Sequence, residues 1–266
     1  MDTDIGYVLN LARMAVTFTL VGLLAFQDFK SRELSAVVVY AYTAISAGVF
    51  LVSLLTSEVL TLALVYAGFS LLVTAGLFMS LFKLGLIGDG DVFVAIALGF
   101  MFFHPSVYEL TLPRAGVLPP SLVIVFYAAL ASIASMAVNA ILVLAKYTHL
   151  LKAVETRAKI VLPLVGKPIK LLDYVSGKFK HYYPLQEYTL TDTGLSVKYK
   201  FLTGVEGENV SKLKKLVENG ILDKDTYVWV TPGLPFVSYL FVGVVLLLVL
   251  GDRPLTKLLT WFLQGL

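Results

Sequence analysis

Six apolar runs limit what this chain can fold into. Ile5–Phe26, Ala36–Leu55, Val59–Phe82, Leu84–Phe103 and Ser121–Ala145 each supply, or nearly supply, a membrane-crossing helix. A bilayer core of roughly 30 Å takes about 20 such residues. A sixth run, Leu234–Leu250, is shorter but intensely aliphatic. The chain is 58% hydrophobic and only 15% charged, against about 45–50% and about 25% in a soluble domain. The expected fold is therefore an all-α polytopic membrane protein with six transmembrane helices. The tail Leu255–Leu266 is too short to span and reads as an interfacial amphipathic helix. The N-terminus carries acids and no basic segment, unlike a cleaved signal peptide.

The hydrophilic stretch before the sixth run is large enough to fold. Glu187–Thr191 and Leu195–Phe201 alternate like strands around Asp192-Thr193-Gly194, a hairpin pattern. Asn209–Asn219 has helical periodicity with Gly220 placed to end it, and Tyr227–Thr231 reads as a strand. The expected organisation is a membrane domain over 1–146, a cytoplasmic α+β domain over 147–231, and a last transmembrane helix with its interfacial tail over 232–266.

Orientation follows from the basic residues. With six crossings, 17 of the 21 lysines and arginines fall on one side, among them Lys30, Arg32, Lys83 and the Lys146–Lys224 set. Basic loops stay inside, so the N-terminus is expected outside and the hydrophilic segment in the cytoplasm.

Against that background, LGLIGDGDVFV at 84–94 is anomalous. An ionisable group inside a span costs several kcal/mol unless it faces protein or water, and it marks a functional site by default. Asp89 and Asp91 lie at the inner end of the fourth span, and Asp28 at the inner end of the first. Asp28 follows one crossing and Asp91 three, so both belong on the cytoplasmic side, and they meet if the first and fourth helices pack together. Two carboxylates at about 3 Å share a proton, which leaves one base and one acid at neutral pH. The base can activate water while the acid protonates a carbonyl oxygen. Gly88 and Gly90 lack a Cβ, so a substrate backbone can approach. The competing readings are a solvated loop for Asp28 and a carboxylate complementing a helix dipole for Asp91. Asp89 fits the second better and is assigned a supporting role.

Gly88-Asp89-Gly90-Asp91 fits the G-x-G-D signature of intramembrane aspartyl proteases, and Asp28-Phe29-Lys30-Ser31-Arg32 resembles the segment after the first helix in type IV prepilin peptidases. Six spans, a hydrophilic domain before the last one, and the entry Val230-Thr231-Pro232-Gly233-Leu234-Pro235-Phe236 resemble the archaeal preflagellin (archaellin) and prepilin peptidases. The resemblance implies Asp28 and Asp91 as the catalytic pair, with Lys30 and Arg32 flanking it. It also implies removal of a short basic leader from archaellin or pilin precursors. Many bacterial members carry a lysine two residues after the second aspartate, where this chain has Phe93. Their cysteine-bearing domain, linked to N-methylation, has no counterpart in a chain without cysteine, so cleavage without methyl transfer is expected.

His104, His149 and His181 have no ligand spacing, so no metal and no cofactor are expected. The stretch His181-Tyr182-Tyr183-Pro184 reads as a membrane-proximal belt, and the basic run Lys146–Lys180 as a face for anionic lipid rather than nucleic acid. Asn10 and Arg13, near the outer interface, are expected to snorkel. The alternative class is an ion- or proton-coupled transporter. It would want midplane acids and matching halves, and neither is present. A presenilin-like protease pairs Tyr-Asp with G-x-G-D on the next helix, whereas Asp28 follows Gln27 and lies three helices earlier.

Overall fold

A computed structural model of the chain describes residues 3–114, 116–152, 154–179, 182–191, 194–201 and 208–264. In chain order, α1 (Thr3–Ser31), α2 (Ala36–Leu55) and α3 (Leu60–Leu71) come first. A π-helical turn, Leu72–Gly76, joins α3 to α4 (Leu77–Lys83). Then come α5 (Asp89–Met101), a 3-10 turn (Pro105–Leu110), α6 (Pro120–Leu151) and α7 (Thr156–Val165). β1 (Lys167–Lys170), α8 (Leu171–Val175), β2 (Tyr183–Pro184), β3 (Gln186–Thr191) and β4 (Gly194–Tyr199) follow. The chain closes with α9 (Glu208–Glu218), β5 (Tyr227–Thr231), α10 (Phe236–Leu250) and α11 (Arg253–Gln264). These elements form two compact units, 1–132 with 235–266, and 133–234.

Among the described residues, fewer helices than the six crossings expected are long and apolar enough to span a bilayer by themselves. Gly6–Ser31, Ala36–Leu55, Leu60–Lys83 and Pro120–Leu151 are long and apolar enough to cross a bilayer. The pair α10 and α11, bent by 84°, makes a fifth if counted as one span. The run Leu84–Phe103 is helical only over the 13 residues of α5, roughly 20 Å at 1.5 Å per residue. Its glycines are the cause. Gly85 has φ +69° and turns the chain after α4, and Gly88 is extended and caps α5. Likewise α10 holds 15 residues and stops at Gly251, where φ is +62°.

A short helix suits a central position, because protein rather than lipid surrounds it. Val94, Ala95, Ala97, Leu98 and Met101 of α5 are buried on all sides. α5 packs chiefly against α2, and also against α3, α4 and the π turn between them. That turn presents Thr74 to Gly99 so closely that a Cβ there would collide with the Thr74 Oγ1. A π turn and a small residue together allow helix axes to approach this far.

The irregular segment after α5 folds inward, with its backbone groups satisfied by side chains, as non-helical chain within a bundle requires. Asn10 donates to the Ser106 carbonyl at 3.0 Å. Asp252 accepts from the N–H groups of Val117 and Leu118 at 2.7 and 3.1 Å, while Tyr127 donates to the Gly251 carbonyl at the end of α10 at 2.9 Å. Asn10 and Arg13 do not snorkel. They are 1% and 2% exposed, because this segment closes over them.

The second unit is α+β. β1, β5 and β2 form an antiparallel sheet in that order, and β3 pairs with β4 as a hairpin. Ile169, Leu171, Tyr174, Leu213, Val228 and Val230 build one core. The hairpin, α9 and β5 lie where the sequence placed them, although β4 ends at Tyr199 rather than Phe201. Residues 192 and 193 of the hairpin turn lie outside the described residues. Gly220 takes φ +69° just after α9, as its position suggested. His181 also lies outside the described residues. Tyr182 meets Phe179 edge to face at 5.3 Å, and Tyr183–Pro184 forms β2.

The Gly99 contact yields a prediction. Gly99→Ala should lower stability by about 1–3 kcal/mol through overpacking. Adding Thr74→Ala should restore much of that loss, so thermal unfolding of the two single variants and the double variant in detergent should show non-additivity.

Candidate functional site

Asp28 sits in the last turns of α1, where an apolar helix meets the turn to α2. The turn is held locally: Gln27 accepts the Ser35 N–H through Oε1 at 3.1 Å. Arg32 leaves the helix with φ +59°, an uncommon conformation outside glycine. Its N–H still donates to the Asp28 carbonyl at 3.2 Å, and its Nη1 stands 3.9 Å from the Asp28 Oδ1. That nitrogen is buried with no hydrogen-bond partner, so the ion pair is its main compensation.

The other oxygen of Asp28 faces the start of α10. Its Oδ2 accepts the Ser238 N–H at 3.1 Å. The first N–H groups of a helix have no partner within it, and they carry the positive end of its dipole. The Ser238 hydroxyl donates to the Ala25 carbonyl at 2.8 Å, its shorter contact, and lies 3.4 Å from the Asp28 Oδ2. At 6% exposure Asp28 is deeply buried, and a cation and a helix terminus both meet it.

Asp91 is positioned by its own helix. It is the third residue of α5, and its Oδ2 accepts the Gly88 N–H at 2.9 Å. This is the reach-back half of a capping box; glycine has no side chain to return the bond. Asp89 opens α5 and is exposed, its Oδ1 taking the Gly90 N–H at 2.8 Å. Gly90 lies under Leu34 of the α1–α2 turn, where a Cβ would approach the Leu34 Cδ1 to 2.9 Å. The missing side chain thus lets the start of α5 press against the turn that carries Arg32.

The two aspartates come within electrostatic reach of each other without a hydrogen bond between them. Asp91 lies within electrostatic range of Asp28, Asp89 and Arg32. The route differs from the direct packing of the first and fourth helices expected from sequence. The main partners of α1 are α2 and α10, and α5 leans on α2 and more lightly on α10. Those two helices bridge the pair. Arg32 joins the site, but Lys30 does not. It is exposed, and its Nζ lies 5.7 Å from the centre of the Phe26 ring. Phe93 is half exposed and meets Tyr40 of α2 edge to face at 5.6 Å.

Sequence reasoning missed Ser238. Its signal was present in the proline-rich entry to the last apolar run, which announces a helix N-terminus inside a bundle. Such a terminus needs an acceptor, and Asp28 is that acceptor. Among the described residues, no group of three or more histidines and acids gathers in a way that could hold a metal ion. His104 lies at the other end of α1, its Nδ1 accepting the Ser106 N–H at 3.2 Å.

The two carboxylates should differ in what they contribute to stability. Asp28→Ala strands a buried guanidinium and a helix terminus, and should cost about 3–5 kcal/mol. Asp91→Ala removes one capping bond and should cost about 1 kcal/mol. Thermal unfolding in detergent should rank them in that order, and equal midpoints would contradict the roles assigned to their partners.

Comparison with known families agrees with the resemblance read from the motifs. The model of the type IV leader peptidase family matches residues 15–144, which hold Asp28, Gly88 and Asp91. The model of the archaeal peptidase A24 C-terminus, type II, matches residues 158–253, from α7 to the end of α10. Neither a curated relative nor a solved structure matches the chain. The two matches are separated only by residues 145–157 and together cover most of the chain, which belongs to the type IV leader peptidase family in its archaeal, prepilin and preflagellin peptidase form.

Proposed function

We propose that Asp28 and Asp91 are the catalytic carboxylates of a membrane-embedded aspartic endopeptidase. It removes the short basic leader from archaellin- or pilin-type precursors at the cytoplasmic face. The observation that carries this reading is the approach of two carboxylates from distant parts of the chain, with an exposed, glycine-bounded turn beside them. Family membership supports cleavage of a prepilin-type leader.

The chemistry follows from a shared proton. One carboxylate takes a proton from water while the resulting hydroxide attacks the scissile carbonyl, and the other protonates the carbonyl oxygen. In the collapse of the gem-diol intermediate the amine leaves with the proton held by the first carboxylate, and one hydroxyl returns its proton to the second, which restores the starting pair. Gly88 and Gly90 shape the turn on which Asp91 rides. Asp89 supports it from the exposed side. Arg32 holds the charge of Asp28, and Lys30 faces the anionic inner leaflet with the basic segment that follows α6. The 147–231 segment is assigned to presenting the precursor. A positively charged leader remains on the cytoplasmic side, where the parity of the spans puts both aspartates. A transporter reading is not favoured, since the family is one of peptidases.

Asp28→Asn and Asp91→Asn should each reduce cleavage of a leader-bearing precursor by on the order of 1000-fold or more, with membrane insertion unchanged. Asp89→Asn should retain activity. Full activity in either of the first two variants would refute the assignment. The cleavage rate should fall on both sides of its pH maximum, as a pair with split titrations requires. Mass spectrometry of the mature product should find a free, unmethylated N-terminal amine.

A further inference from the structure

The end of α1 opposite Asp28 holds a second set of buried polar groups. A cavity of about 620 Å³ opens there, lined by Leu9, Asn10, Arg13, Val59, Leu62 and Phe103 among others. Asp28 lies 15 residues along α1 from Arg13, roughly 22 Å at 1.5 Å per residue, so this cavity is separate from the candidate active site.

Arg13 is the unusual member. It is 2% exposed, and among the described residues the groups that contact its guanidinium are neutral. Among the described residues its Nη1 donates to the Asn10 Oδ1 at 2.7 Å, its Nη2 donates to the Ser53 Oγ, and its guanidinium carbon lies 5.8 Å from the centre of the Phe103 ring. Its Nε is buried and has no hydrogen-bond partner. A guanidinium stays protonated in proteins, and an unpaired buried charge costs several kcal/mol. No carboxylate of the described residues forms an ion pair with it. Glu58 and Glu109 also line the cavity, but both are exposed, where water and salt screen them.

The geometry points to an anion site for the phosphate group of an amphiphile. The fixed fork of a guanidinium suits a phosphate better than a spherical ion. The volume is that of a ligand pocket and far exceeds a bare ion. The walls also indicate an apolar body, because Val59 and Leu62 are 58% and 49% exposed beside the cavity. The site lies where α2 ends and α3 begins, at the span ends, the level at which phosphate-bearing headgroups lie in a bilayer. A lipid headgroup and free phosphate share this chemistry.

Binding to the purified full-length protein in detergent tests the proposal, with three probes at constant ionic strength. The probes are dioctanoyl phosphatidic acid, dioctanoylglycerol with the same chains and no phosphate, and inorganic phosphate. Phosphatidic acid should bind saturably and raise the unfolding midpoint, and dioctanoylglycerol should not. Inorganic phosphate at least tenfold weaker assigns the site to lipid, whereas equal affinity assigns it to the free ion. Arg13→Gln keeps a hydrogen-bonding side chain without the charge, and should weaken phosphatidic acid tenfold or more. Leu62→Trp, which narrows the cavity without touching Arg13, should weaken phosphatidic acid more than inorganic phosphate. The proposal fails if no probe binds wild type, if dioctanoylglycerol matches phosphatidic acid, or if both variants bind phosphatidic acid like wild type. Asp28→Asn should give the wild-type result with each of the three probes, which separates this site from the catalytic assignment.

Discussion

A carboxylate deep in an apolar helix bundle needs donors, and meeting that need at Asp28 organises this membrane unit. The start of α10 supplies the N–H of Ser238, and Arg32 supplies a cation from the left-handed residue that ends α1. Each contact solves two problems at once. The helix terminus of α10 would otherwise be buried without an acceptor, and the Arg32 guanidinium without an anion. Pairing them at one side chain ties the first helix of the chain to the last, across 210 residues of sequence. Single contacts of this kind are destabilising to break even where the pair itself adds little.

The second constraint is the shortness of α5. Its helix begins only at Asp89 because Gly85 and Gly88 take conformations that stop a helix from running through. A full-length span would have put the G-x-G-D segment on a continuous helix. Instead the turn stands exposed, and Asp91 is fixed by the Gly88 N–H from the residue that caps its own helix. The length lost at the other end is made up by irregular chain, which Asn10 and Asp252 satisfy. The same inward folding buries Arg13 and creates the cavity opposite the aspartates. The shape of one end of the unit is thus a consequence of the glycines at the other.

Much of this was legible in the sequence because it rests on local signals. The long apolar runs announced the helices, and alternation announced β3 and β4. The carboxylates stood out because acids among apolar residues are costly. Parity placed Asp28 and Asp91 at one end because it depends only on counting segments. The number of full crossings was not legible: apolar length cannot distinguish a lipid-facing span from a short helix sheathed by protein, as with Val94 to Met101. Ser238 was missed because its role lies in a backbone N–H, which any residue could supply. Arg13 was misread because a snorkelling arginine and a buried one look alike until the segment that covers it is in place. The two-residue β2 and the short β1 carried no pattern long enough to detect.

The account stands on the convergence of Asp28 and Asp91, and the absence of cysteine from the chain makes that directly measurable. Asp28→Cys combined with Asp91→Cys gives a protein with two thiols, to be treated with a short bifunctional thiol reagent in native membranes. The control combines Phe26→Cys, on an exposed face of the same helix end, with Asp91→Cys. The account predicts rapid intramolecular cross-linking of the first pair and little of the second. Equal rates for the two, or no cross-link between positions 28 and 91, would contradict it.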